Sequence, residues 1–207
     1  MPYPETDSLP TSDNHLINEE LSCDTMNIAN EYHVQNNCLT TKQRSVFGDI
    51  ITQLKTIMKV FFVYGYGGTG KTFLWKTLST CIRSKGWIVI NAASSGIASL
   101  LLIGGRTSHS RFHIPLNLNE DSRCYMKPNN DVAKLLNETK LIIWDEAPMV
   151  HKHAFEAFDR TLRDILLPHD STNIHMPFGG LNSDPWELVV SLDLHRHFRM
   201  KQRKLDS

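Results

Sequence analysis

No stretch of this sequence is long and apolar enough to span a bilayer. Purely apolar runs reach about five residues, as in Val60–Tyr64, against the ~20 that a spanning helix needs, so no membrane association is expected. The first ten residues carry Glu5 and Asp7 but no Lys or Arg. They therefore lack the basic region of a secretory signal and the Arg-rich character of a transit peptide, and a secreted protein is not expected. The cysteines Cys23, Cys38, Cys81 and Cys124 are separated by 15, 43 and 43 positions and form no C-x-x-C pair. That spacing matches neither a zinc module nor a disulfide framework, and free thiols in a reducing compartment are expected. Basic residues are missing altogether from residues 1–38, which hold seven acids. The rest of the chain, from Leu39 onward, thus carries all 22 Lys and Arg against 15 acids, a net of +7 within a chain of zero net charge. Such an excess suits a polyanionic partner, or simply a solvated face.

Residues 1–38 also have few large apolar side chains and no sustained period, so they are expected to form a disordered acidic leader. Organised sequence begins near Leu39. Thr40 or Thr41 caps a helix with Val46, Ile50, Leu54 and Ile57 on its apolar face. Val60–Tyr64 has the β-branched and aromatic character of a buried strand. A glycine-rich turn follows, then a helix from Lys71 to Lys85 stopped by Gly86, and a second strand over Trp87–Asn91. Helical patterns recur over Ser95–Ile103, Asp131–Glu138 and His151–Leu167, the last with Phe155, Phe158, Leu162 and Ile165 on one side. Leu141–Trp144 is a third strand. Strands alternating with helices predict an α/β fold, a parallel sheet with helices on both faces in three layers.

Gly65-Tyr66-Gly67-Gly68-Thr69-Gly70-Lys71-Thr72 satisfies G-x-x-x-x-G-K-[ST] at every position, between a predicted strand and a predicted helix. The glycines allow the backbone of Gly65, Gly67, Gly68, Thr69 and Gly70 to wrap a phosphate with its N–H groups turned inward. The helix start adds its positive end. Lys71 supplies a point charge for the β- and γ-phosphates, and the Thr72 hydroxyl a ligand for Mg²⁺. ATP with Mg²⁺ is the expected cofactor pair. Well downstream of the loop lysine, the strand Leu141-Ile142-Ile143-Trp144 ends in Asp145-Glu146. Asp145 is placed to hold the metal, and Glu146 to polarise a water against the γ-phosphate. Two adjacent acids favour hydrolysis over phosphate transfer to a small molecule.

Four blocks in order now carry a resemblance: the phosphate loop; Ala93-Ser94-Ser95-Gly96-Ile97-Ala98; Gly104-Gly105-Arg106-Thr107-Ser108-His109-Ser110-Arg111-Phe112; and Asp145-Glu146-Ala147-Pro148-Met149. Together they resemble the petite-integration-frequency helicases, superfamily 1 DNA helicases of the 5′-to-3′ class. The Asp-Glu-Ala-Pro-Met form looks most like plant members and the helicase part of Helitron transposons. The resemblance implies a P-loop NTPase with a RecA-like sheet, here the first motor domain, over residues 39–180. It implies ATP-dependent DNA unwinding in repair, recombination and telomere maintenance, and a nuclear address, with mitochondria as a second one in the family. It also implies roles for single residues. Gln43 would read the adenine edge, since an amide offers donor and acceptor together; by its position alone it is a surface glutamine on a first helical turn. Ser94, Ser95 and Gly96 would touch the backbone of single-stranded DNA. Arg106, Thr107, His109, Arg111 and Phe112 would line the same strand, the arginines on phosphates and the aromatic on a base. Phe112 suits a core position equally well.

The pattern departs from the family after Met176-Pro177-Phe178-Gly179-Gly180. The family's glutamine-bearing segment is replaced by Leu181-Asn182-Ser183-Asp184-Pro185-Trp186, and residues 181–207 read as a divergent basic tail with one potential strand over Glu187–Leu192. That stretch is too short to hold a second motor domain, and none is expected within it. A nucleotide- and DNA-binding relic without unwinding activity is accordingly the alternative reading. His151/His153 and His195/His197 are H-x-H pairs with no third ligand nearby in sequence, and no metal site is expected from them.

Overall fold

The computed structural model describes residues 13–54, 59–166, 187–192 and 202–204. Six parallel strands form one sheet: β1 (Lys59–Tyr64), β2 (Ile88–Ala93), β3 (Arg106–Thr107), β4 (Thr139–Asp145), β5 (Glu187–Leu192) and β6 (Gln202–Lys204), in the order β3-β2-β4-β5-β1-β6. The helices are α1 (His15–Leu21), α2 (Thr25–Asn37), α3 (Thr41–Gln53), α4 (Lys71–Arg83), α5 (Gly96–Leu100), α6 (Ser108–Arg111), α7 (Asp131–Glu138) and α8 (Lys152–Leu166). A short 3₁₀ turn covers Ala147–Met149.

Strand alternation divides the core in two. Ile88, Ile90, Ala92, Ile142 and Trp144 face one layer, where they meet Leu135 and Leu136 of α7 and Phe158, Leu162 and Ile165 of α8. Val89, Ala93, Leu141, Ile143 and Val63 face the other, against Val46 and Ile50 of α3 and Leu74, Trp75, Leu78 and Ile82 of α4. Burial on both faces is why these strands read as continuous apolar runs. The architecture is the expected α/β one, a RecA-like parallel sheet with helices on both sides. Strand β5 lies between β1 and β4, with Phe61 and Ile143 both level with Val189.

Two expectations are corrected, and a third is extended. The segment read as a disordered leader forms α1 and α2 over its described part. Asn14 caps α1 by accepting from Leu16 N–H, and Asp24 caps α2 by accepting from Met26 and Asn27. Ile17 is buried, Tyr32 stacks on Phe47, and Thr80 Oγ1 donates to Gln35 at 3.0 Å. Residues 1–12 lie outside the described residues. Within residues 181–207 the strand expected over Glu187–Leu192 forms β5, and Gln202–Lys204 adds β6; the rest of that stretch, with His195 and His197, lies outside the described residues. Finally, β2 starts at Ile88, because Trp87 lies outside the sheet with the Lys85 ammonium 5.2 Å from its ring.

Candidate nucleotide and nucleic-acid site

The loop between β1 and α4 turns left-handed at Gly68 (φ 83°) and Gly70 (φ 78°), and Gly70 is the residue before the first turn of α4. No side chain caps that helix, which leaves its first N–H groups directed into the loop. The Lys71 ammonium folds over the loop, donating to the Gly65 carbonyl and, at 3.3 Å, to that of Tyr66. The Thr69 hydroxyl donates to Tyr66 O at 2.9 Å, closing the turn.

Gln43 sits beneath this loop. Its Oε1 accepts from Thr40 N–H at 3.0 Å in a capping box that starts α3, while its Nε2 donates to the carbonyls of Thr69 and Gly70, both at 3.3 Å. It is buried rather than on the surface. The sequence indicates a threonine cap at this helix start; the reciprocal bond from Gln43 and its contact with the loop come from the fold.

Asp145 ends β4, buried, and its Oδ1 accepts from the indole Nε1 of Trp75 at 3.2 Å. Trp75 lies one turn after Thr72, so this bond ties the helix bearing Lys71 and Thr72 to the strand end bearing Asp145. Glu146 follows at φ 52° and opens the 3₁₀ turn. Its Oε2 accepts from the Ser95 hydroxyl at 2.6 Å. Ser94 donates its N–H to Asp145 O at 3.0 Å and accepts from Trp144 Nε1 at 3.1 Å. Ser94, Ser95 and the exposed Gly96 are thereby brought against Asp145 and Glu146 at the carboxyl edge of the sheet, where ligands of such folds sit.

The second expected DNA segment is only partly assembled. Thr107 caps α6 by accepting from Ser110 N–H, and His109 is half-buried beside it. Arg106 is half exposed and reaches Glu19 of α1 at 3.3 Å. A cavity of about 220 Å³ opens beside this pair, lined by Glu19, Glu20, Arg83, Gly104, Gly105 and Arg106. Two residues are corrected. Arg111 is buried and paired with Glu20, which also accepts from Arg83 at 2.8 Å. Phe112 is wholly buried, its ring centroid 4.3 Å from that of Phe158 and 5.3 Å from that of Trp144. Neither side chain is presented to a strand of nucleic acid in this conformation. Trp75, Glu19 and Glu20 were not legible as partners in the sequence. The His151 and His153 rings lie 4.6 Å apart, and His153 Nδ1 meets Glu156 Oε2 at 2.7 Å. That bond holds the Glu156 carboxyl below its usual range.

The sheet order, the glycine loop ahead of α4 and an acidic pair at the end of β4 place the fold in the RecA-like P-loop class. The PIF1-like helicase model matches residues 38–183, and the chain belongs to that family. It is similar to the ATP-dependent DNA helicases PIF4 and PIF3 of Trypanosoma brucei brucei, at 31% identity over 126 residues and 32% over 120. Each match covers 58% of this chain, which spans only 14% and 13% of those relatives. Among solved structures, it is similar to Bacteroides Pif1 in complex with ADP-AlF3 and ssDNA, with a TM-score of 0.59 and 30% identity. That match covers 80% of this chain and 34% of the other.

Proposed function

We propose that this chain is the first motor domain of an ATP-dependent DNA helicase, of the 5′-to-3′ class and of the plant or Helitron-like subtype, working on single-stranded DNA in the nucleus. Repair, recombination and telomere maintenance are the processes that the family reading assigns to it. The observation that carries the proposal is the convergence of the phosphate loop, Trp75 and Asp145. A lysine and a hydroxyl at a helix start are tied to a buried carboxylate in a site whose glycine backbone accommodates phosphate. Thr72 and Asp145 are hard oxygen donors, as Mg²⁺ requires. Among the described residues no group of three or more His, Cys, Asp or Glu forms a metal cluster by itself. A magnesium ion arriving with the nucleotide phosphates needs only one or two protein oxygens. When bound, Mg-ATP supplies the phosphoanhydride whose hydrolysis drives movement.

In this reading Lys71 exchanges its loop carbonyls for β- and γ-phosphate oxygens, Glu146 orients the attacking water, and Gln43 contacts the adenine. Ser94–Gly96, Arg106, Thr107 and His109 contact the strand. Titration of Mg-ATP into the chain by calorimetry is the test. Lys71→Ala should weaken binding strongly, since a charge-assisted contact is lost; equal affinity of the two forms would overturn the nucleotide reading. The binding relic remains the second reading, favoured by the burial of Arg111 and Phe112. A strand-displacement assay on a 5′-tailed duplex separates the two.

A further inference from the structure

We propose that the Ser95 hydroxyl is a shared switch: it holds the Glu146 carboxylate while the strand site is empty, and gives it up when a nucleic-acid phosphate binds. The proposal rests on the reading of Glu146 as the water-orienting base and of Ser94–Gly96 as a strand contact.

The geometry leaves the hydroxyl little choice. Ser95 Oγ donates to Glu146 Oε2 at 2.6 Å and accepts from Ala98 N–H at 3.2 Å as the cap of α5. A serine has one O–H proton, and here it is spent on the carboxylate, in a charge-assisted bond of the strong kind. A phosphate oxygen that takes that proton must therefore take it from Glu146. The surrounding bonds isolate this one as exchangeable. Ser94 N–H holds the Asp145 carbonyl at 3.0 Å, and Trp144 Nε1 holds Ser94 Oγ at 3.1 Å, so the two chain segments stay joined while the serine side chain changes partner. Glu146 itself sits at φ 52°, a conformation that a non-glycine residue keeps only when its surroundings impose it. An incoming phosphate also repels the carboxylate that it displaces, which favours release. Strand binding and base release are then one event, and coupling between them is reciprocal: if the strand frees Glu146, removing Glu146 must help the strand bind.

That reciprocity is measurable without turnover. The probe is a fluorescein-labelled single strand of thymidines, titrated by anisotropy into the 207-residue chain at fixed low salt. Glu146→Ala should tighten binding by about fivefold in the wild-type background, and by under about twofold when combined with Ser95→Ala. Glu146→Gln, which removes the charge but keeps a carbonyl acceptor, should gain less than Glu146→Ala. Ser95→Thr, which keeps both hydroxyl and cap, should restore the full dependence on Glu146. An equal gain from Glu146→Ala in the Ser95 and Ser95→Ala backgrounds would mean charge relief alone and would overturn the proposal. So would a Ser95→Thr form that behaves as Ser95→Ala. A wild-type chain that does not bind the strand at all overturns the nucleic-acid reading itself, and the switch with it.

Discussion

The indole N–H of Trp75 donates to Asp145 Oδ1 at 3.2 Å, with both side chains buried. Trp75→Phe removes the donor and leaves a buried carboxylate oxygen without it, a loss of about 1–3 kcal/mol. The melting temperature should fall, and the magnesium concentration for half-maximal nucleotide binding should rise, because Asp145 is no longer fixed in orientation. Calorimetric titration of Mg²⁺ at constant ATP checks this. An unchanged magnesium midpoint would separate Trp75 from the metal site.

Glu20 pairs with two guanidinium groups at once, Arg83 on one carboxylate oxygen and Arg111 on the other, and all three side chains are less than a tenth exposed. Glu20→Ala should destabilise the chain by about 3–5 kcal/mol, since two charges remain buried without their partner. The exposed Glu19–Arg106 pair is different, and Glu19→Ala should cost under about 1 kcal/mol. Denaturant unfolding of the two variants side by side checks the contrast.

Phe112 fills the space between Trp144 and Phe158. Phe112→Ala should destabilise by about 3–5 kcal/mol, whereas Phe112→Leu should remain folded and bind a single-stranded oligonucleotide as the wild type does. A selective loss of strand binding in Phe112→Leu would return this ring to the nucleic-acid site.

Much of this was readable in the chain and some was not, for reasons that differ by residue. The phosphate loop is legible because each position has a backbone or charge requirement of its own. Asp131–Glu138 matches α7 at both ends because an asparagine cap precedes a clear helical period. Phe112 shows no period in its Ser-Arg-Phe-His surroundings, and its place is decided by the rings of Trp144 and Phe158, both distant in sequence. The segment 13–37 looks solvated because polar residues dominate it. What orders it are caps and pairings across long separations, 63 residues for Glu20 with Arg83 and 91 with Arg111. No local pattern encodes those. For Trp75, only the fold reveals that one helical turn beyond Thr72 points at the end of β4.

A Cβ added at Gly70 would lie 2.5 Å from Gln43 Nε2, and the residue sits at φ 78°. Gly70→Ala therefore combines left-handed strain with displacement of the amide that supports the loop. It should abolish Mg-ATP binding while far-ultraviolet circular dichroism remains near wild type. Retained affinity would show that the loop tolerates a different path.

Burial pushes the Cys124 thiol up to about 11 from its ordinary 9.0, against the opposing hydrogen bond with Thr161, and raises Cys81 as well. These thiols keep protons in the folded chain that the unfolded chain releases. Their contribution to stability is present below about pH 9 and is lost as pH rises toward 11. Denaturation midpoints at pH 8, 9.5 and 10.5 should fall in that order. The slope should flatten in Cys124→Ala.

The position of β5 sets an order of assembly. The strand that carries the phosphate loop spans residues 59–64, and its sheet neighbours are β5 and β6, at residues 187–192 and 202–204. During synthesis β2 and β4 can pair early, with one edge of β4 still unfilled, while β1 waits for β5 to emerge. Such distant pairing is slow, and the waiting edges are templates for misassociation. The strand that seats the phosphate loop is thus placed last, and in a nascent chain the loop gains its supporting sheet only when β5 and β6 have emerged.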